Sequence, residues 1–133
     1  MRLKNVLTSV LSVALVLAPQ ITQAQQTQNR AEAKYLAGIN HFLGKIKSHG
    51  AFRINATTPT VKKLEYGYRV CEALDQGMTL DDVTDSAFIN AMNYSDSGVE
   101  AQMSYGIAIQ SSAIFNLCPK YNDGLAIPHQ KSE

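Results

Sequence analysis

Few side chains in this chain are equipped for covalent, acid–base or metal chemistry, and the two cysteines, Cys71 and Cys118, come first. A thiol with a histidine partner would be a nucleophile, and two thiols in a C-x-x-C motif a redox centre. The spacing rules out the second, and an oxidising compartment would turn the pair into one structural disulfide. The three histidines do not form a metal set. His41 and His49 lie eight residues apart, about 12 Å along a helix, too far to share one ion, and His129 belongs to the end of the chain. His49, close to a helix end, suits an interaction with the dipole. Glu65 and Glu72 share a helical face but are separated by about 10.5 Å of rise, with no positioned cleft to make them a glycosidase pair. Asp81 and Asp82 read as helix-capping acids. No catalytic residue, no metal site and no cofactor is expected.

The tyrosines are the better candidates for contact chemistry, because each joins apolar area to a polar tip. Tyr68 falls on an apolar stripe and is expected in the core. Tyr66 and Tyr105 depart from theirs and are expected to meet a ligand or partner at the surface. Asn55-Ala56-Thr57 and Asn93-Tyr94-Ser95 match the glycosylation acceptor pattern, which is short enough to arise by chance.

The start of the chain sets the compartment. Arg2 and Lys4 precede an apolar run from Val6 to Leu17 broken only by Thr8, Ser9 and Ser12, and Pro19 ends it. These are the parts of a secretory signal, with cleavage expected after Ala24 in Thr22-Gln23-Ala24. The run is short of the roughly 20 apolar residues of a membrane span, so no stable span is expected after its removal. Taking 24 residues, Arg2 and Lys4 among them, from a chain of 133 with 12 Lys+Arg and 11 Asp+Glu leaves 109 residues and a formal charge of −1. Near-neutrality argues against a nucleic-acid partner. The expected location is outside the cytoplasm: secreted, periplasmic or in the cell envelope.

The elements that position these residues are all helical. Residues 25–30 are Gln-rich and read as a flexible lead-in. From Ala31 to Lys47, Tyr35, Leu36, Ile39, Phe42, Leu43 and Ile46 form one apolar face, with Gly50 as the stop and residues 51–57 as a connection. A second helix starts with Thr58 as cap and Pro59 in its first turn, carries Val61, Leu64, Tyr68, Cys71 and Leu74 inward, and ends at Gly77. A third is capped by Thr79 and runs through Leu80, Val83, Ala87, Phe88 and Ala91. The fourth presents Val99, Met103, Ile107, Ile114, Leu117 and Cys118, and Pro119 terminates it. Residues 120–133 read as a flexible tail. The fold class is therefore all-α, a small four-helix bundle-like domain over residues 31–119 stapled by one disulfide. The bridge would clamp the C-terminal halves of the second and fourth helices, with Ile114 expected to pack over Gly67, where a missing side chain permits close approach.

The stretch Gly67-Tyr68-Arg69-Val70-Cys71-Glu72-Ala73-Leu74-Asp75-Gln76-Gly77, followed by Asp82-Val83 and closed by Leu117-Cys118-Pro119, resembles the domain-of-unknown-function family 732. These are small exported bacterial proteins with a G-x-x-V-C-x-x-L-x-x-G core and a C-terminal Cys-Pro. The resemblance spans roughly Tyr35 to Pro119 and marks Gly67, Val70, Leu74, Gly77 and Pro119 as structural positions. It implies an all-helical fold and a Cys71–Cys118 bridge, and no activity. The expected role is a non-catalytic binding or interaction module for a protein or a small apolar ligand. One alternative is a carrier of a hydrophobic ligand such as a lipid or haem in a cavity lined by Phe42, Tyr68, Met103 and Ile107; another is a small secreted enzyme. Oligomeric state is left open.

Overall fold

The structure is a computed structural model that describes residues 22–91 and 96–125, with side chains described except at 88–91, 96, 97 and 123–125. Nearly all of the signal segment, Asn93 and His129 lie outside the described residues. The described chain is wholly helical: α1 (Gln23–Ile46), α2 (His49–Thr57), α3 (Thr60–Asp75), α4 (Leu80–Ala91) and α5 (Asp96–Asn116), then a 3-10 segment, Pro119–Leu125. The all-α class holds, and Cys71 and Cys118 are bridged with their Cα atoms 5.8 Å apart.

Two boundaries differ from expectation near the start. In the full chain the Gln-rich stretch is helix, not a flexible lead-in, started by a reciprocal cap that cleavage after Ala24 would remove: the Thr22 hydroxyl accepts from Gln25 N–H and the Gln25 side chain accepts from Thr22 N–H. Residues 51–57 are not a connection but most of α2. Its first turn is capped by Ser48, whose hydroxyl accepts from Ala51 N–H. The stop between α1 and α2 is Lys47 at φ 60°, a left-handed conformation rare for a side-chain-bearing residue. Gly50 instead lies against α5, where a Cβ would come within 2.6 Å of the Ala101 Cβ. Asn55, buried on α2, donates its amide to the Asn40 side chain at 2.8 Å and is no exposed glycosylation acceptor.

At the next junction the roles of Thr58 and Pro59 are exchanged. Pro59, extended at φ −60° and ψ 146°, is the residue that precedes α3 and offers no side-chain cap, while Thr58 donates to Ile54 O and closes α2. Gly77 does end α3, at φ 91°. Its N–H donates to Leu74 O and that of Met78 to Ala73 O, the paired bonds of a Schellman turn. Thr79 caps α4 with Asp82, whose carboxylate accepts from Thr79 N–H and holds its own pKa low through the Thr79 hydroxyl.

α5 is the hub. It packs on α1, α2, α3 and α4, and does so with small residues, Ala101, Ser104, Ala108, Ser112 and Ala113, beside Tyr105, Ile109 and Ile114. That composition explains a failed expectation: Ile107, placed in the core by apolar spacing, is 44% exposed. A helix enclosed on several sides has no single apolar face, and close approach favours Ala and Ser over Ile. Val61, at 74%, and Tyr68, at 39%, are likewise outside the core; the Tyr68 hydroxyl donates to Glu32 instead. Cys118 lies just past the end of α5, not in its last turn. The segment after Pro119 begins ordered: Lys120 pairs with Asp75 at 2.6 Å and the Tyr121 hydroxyl donates to the same carboxylate, so residues 119–122 fasten onto the end of α3 instead of starting a loose tail.

Tyr35 is the centre of the α1–α3–α5 contact. It is fully buried, its hydroxyl donates to Lys63 O at 2.5 Å, and its carbonyl accepts from the Ser112 hydroxyl at 2.6 Å. Burial pushes its pKa well above the ordinary tyrosine value, and burial raises that of Tyr105 too. The neutral phenols are therefore favoured by the fold. Their contribution is complete below the unfolded value of about 10 and is lost as pH rises from there through the folded values, at up to about 1.4 kcal/mol per pH unit for Tyr35. Thermal melts should show steep destabilisation above pH 10, and Tyr35→Phe should be less stable at pH 7 but lose less on going to pH 11. Equal alkaline losses in both proteins would remove Tyr35 from this account.

Candidate functional site

An apolar groove of about 430 Å³ lies between α3, α4 and α5. α3 supplies Tyr66, Arg69, Val70 and Ala73 to one wall, the turn after Gly77 supplies Met78, and α4 supplies Val83, Ser86 and Ala87. α5 forms the floor with Gln102, Tyr105, Gly106, Ile109 and Gln110. Its size falls within the ~300–1,000 Å³ of small-molecule sites, and its lining is mostly apolar with a few polar groups at the edge.

Local sequence explains the shape. The Schellman turn at Gly77 reverses the chain and delivers Met78 to the mouth. α4 is then fixed against α5 by Gln110, whose amide donates to Leu80 O at 3.3 Å and whose carbonyl accepts from the Thr84 hydroxyl at 3.1 Å. Ala73, Ala87 and Gly106 are small and leave space between the helices. A Cβ on Gly106 would sit 3.6 Å from that of Ala87, an ordinary contact, so Gly106 is not demanded by the packing there.

Sequence reasoning singled out Tyr66 and Tyr105, and the structure brings both into this groove. Tyr66 is 40% exposed, as expected. Tyr105 is not a surface residue: it is 4% exposed, and its hydroxyl has no hydrogen-bond partner among the described residues, although Thr58 approaches it. It lines the groove from beneath. Of the positions marked by the family resemblance, Val70 is a groove wall and Leu74 is buried behind it. Gly77 sets the turn, and Pro119 opens the 3-10 segment. Gly67 is a point of close approach, but the neighbours differ from expectation. A Cβ there would meet the Tyr35 ring at 2.5 Å and Leu117 Cδ1 at 2.7 Å, so α1 enters where Ile114 was expected. Ile114 points into the core at 2% exposure.

The residues expected to line a carrier cavity do not come together. Phe42 stacks on Phe115 at 5.7 Å on the α1–α5 face, Tyr68 bonds Glu32, and Ile107 faces outward. Pattern-reading missed the actual groove because its floor and walls include Ala73, Ala87 and Gly106, residues that carry no apolar-stripe signal. Glu65 is held between Lys62 at 2.8 Å and Arg69 at 2.5 Å, and these contacts keep its pKa low, that of Lys62 being the largest. Glu72 accepts from Gln76. Both are surface carboxylates engaged within their own helix. Among the described residues no three His, Cys, Asp or Glu side chains converge, and no helix is long and apolar enough to cross a membrane. Comparison with protein-family models, curated proteins and solved structures finds no match.

Proposed function

We propose that the chain is an exported, non-catalytic binding protein of the family-732 type, and that its α3–α4–α5 groove takes a small apolar ligand. The observation that carries this reading is the groove itself: an open, mostly apolar space whose floor is a buried tyrosine and whose walls are fixed by a turn and two side-chain bonds. Binding energy there comes from removing apolar surface from water, with Gln102, Ser86 and Arg69 among the lining residues to orient a polar end. No histidine is among the described residues that line the groove, so a haem would lack its commonest protein ligand there, and a lipid-like molecule is the better fit. Export rests on the charged start, the apolar run and the cleavage pattern, and suits a domain that depends on a disulfide.

A neutral naphthylamine dye, fluorescent only in apolar surroundings, tests the groove. The intact protein should bind it saturably at one site, and Gly106→Leu, which fills the groove, should weaken binding at least about tenfold. Ile107→Ser on the outer face should leave it unchanged. Equal binding by all three proteins would sink the proposal. Mass spectrometry of the same protein recovered from the extracytoplasmic fraction should give a chain starting at Gln25; a chain still starting at Met1 would refute the cleavage.

A further inference from the structure

A second face, independent of the groove, carries a different signature. On α1, Arg30, Lys34, His41 and Lys45 follow one another at intervals of four, seven and four residues, so all are within about 60° of one another around the helix axis. They make an exposed row about 22 Å long at 1.5 Å per residue. None of the ion pairs among the described residues involves Arg30, Lys34 or Lys45. The nearest acid on the helix, Glu32, faces the other way, accepting from Tyr68 at 2.6 Å.

An aromatic step flanks the row. Phe42 and Phe115 stack with centroids 5.7 Å apart, His41 meets the edge of Phe42 at 5.6 Å, and the Lys45 ammonium stands 5.9 Å from the same ring. Phe115 is 49% exposed. Between the row and the step is a shallow depression of about 510 Å³ lined also by Ala37, Gly38 and Asn116, with no acidic side chain among the described residues that line it. Gly38 keeps α1 close to α5, since a Cβ there would fall 2.2 Å from Ser112 Oγ.

We infer that the α1–α5 face is a docking surface for an acidic polypeptide segment, which lays carboxylates along Arg30, Lys34 and Lys45 and seats an apolar side chain beside Phe42 and Phe115. Charge decides the occupant. A chain with nearly balanced charge overall presents here a row of one sign that has no ion-pair partner among the described residues, and complementary potential is what selects and steers a partner. A second copy meeting this face through its own equivalent would set like charges against each other. A bilayer is flat and takes protruding aromatic side chains, whereas here the rings are stacked side by side at the edge of a hollow that suits a side chain projecting from the partner.

The probe is a synthetic amphipathic helix of about four turns, fluorescently labelled, with leucines on one face and glutamates beside them; its control carries lysines instead. The full chain should bind the glutamate helix, more weakly as salt shortens the Debye length below about 10 Å, and should not bind the lysine helix. The double variant Lys34→Glu with Lys45→Glu should lose at least about tenfold in affinity, as should Phe115→Ser, while thermal melting of the charge variant falls by only a few degrees, since both lysines are exposed and the main cost is an acid in the last turn of α1. Gly106→Leu should bind the helix like the parent, which separates this face from the groove. Equal binding of the two helices would overturn the inference. So would sedimentation with phosphatidylglycerol vesicles that the double variant abolishes, which would assign the face to membrane. Salt-sensitive self-association abolished by that variant, with the acids of α4 meeting this row, would overturn it in favour of a second copy.

Discussion

Replacing Cys71 and Cys118 together with serine should lower stability by about 4 kcal/mol, the chain-entropy value for a loop spanning this 47-residue separation. In a domain of this size the loss corresponds to a fall of about 15–30 °C in melting temperature. The bridge joins the C-terminal half of α3 to a residue two beyond the end of α5, so the closed loop contains the whole of α4 and α5. Without it, those ends are held by the packing of α3 on α5 and by the Lys120–Asp75 pair and the Tyr121 hydrogen bond, the last two solvent-exposed and individually weak. Both cysteines are also buried, at 8% and 6% exposure, so serine adds the cost of placing hydroxyls in an apolar site. Thermal unfolding of oxidised protein, reduced protein and the double variant measures the effect. A reduced protein melting within a few degrees of the oxidised one would show that the loop is closed by other contacts.

Gly67→Ala should be destabilising by about 1–3 kcal/mol, although the same change at an exposed helix position gains about 1 kcal/mol. The new methyl carbon would have to occupy space 2.5 Å from Tyr35 Cζ and 2.7 Å from Leu117 Cδ1. Tyr35 has little freedom to withdraw, because its hydroxyl is bonded to Lys63 O and its own carbonyl to Ser112. Gly67→Leu should cost more. The decisive comparison is a double-mutant cycle: with Tyr35→Leu in place, the added penalty of Gly67→Ala should shrink or change sign. Additive effects in chemical denaturation would mean that the ring is not what the methyl meets.

The contrast between these two sites shows what can be read from residues alone. The bridge was legible because pairing depends on compartment and on two cysteines, both visible in the sequence. Gly67 was legible as a point of close approach, but its partner was not. Ile114 is one turn from Cys118 and looked like the neighbour, whereas the ring that fills the space belongs to α1, brought there by a tertiary contact no local spacing encodes. α2 was missed for a related reason: its buried positions, Ala51 and Asn55, are small or polar, while the large apolar Phe52 between them is 40% exposed. The Gln-rich start of α1 was read as disordered from composition, whereas in the full chain the Thr22–Gln25 cap supplies the local bonds for helix. In the candidate site, Tyr66 and Tyr105 were visible as departures from their stripes. The space between them was not, since a gap is made by Ala73, Ala87 and Gly106, and small residues leave no periodic mark.

The position of α5 bears on when this protein acquires its shape. Every other described helix packs on α5, and α5 comes last of the five. As the chain is synthesised, α1 to α4 emerge before the surface they are to cover, and the contacts among them are few by comparison. Cys71 must likewise wait for Cys118, two residues beyond the end of α5. The order of elements thus postpones folding until nearly the whole domain has left the ribosome. A chain that must pass unfolded through a translocation pore would gain time from that delay, and oxidation of its thiols would then close the structure on the far side.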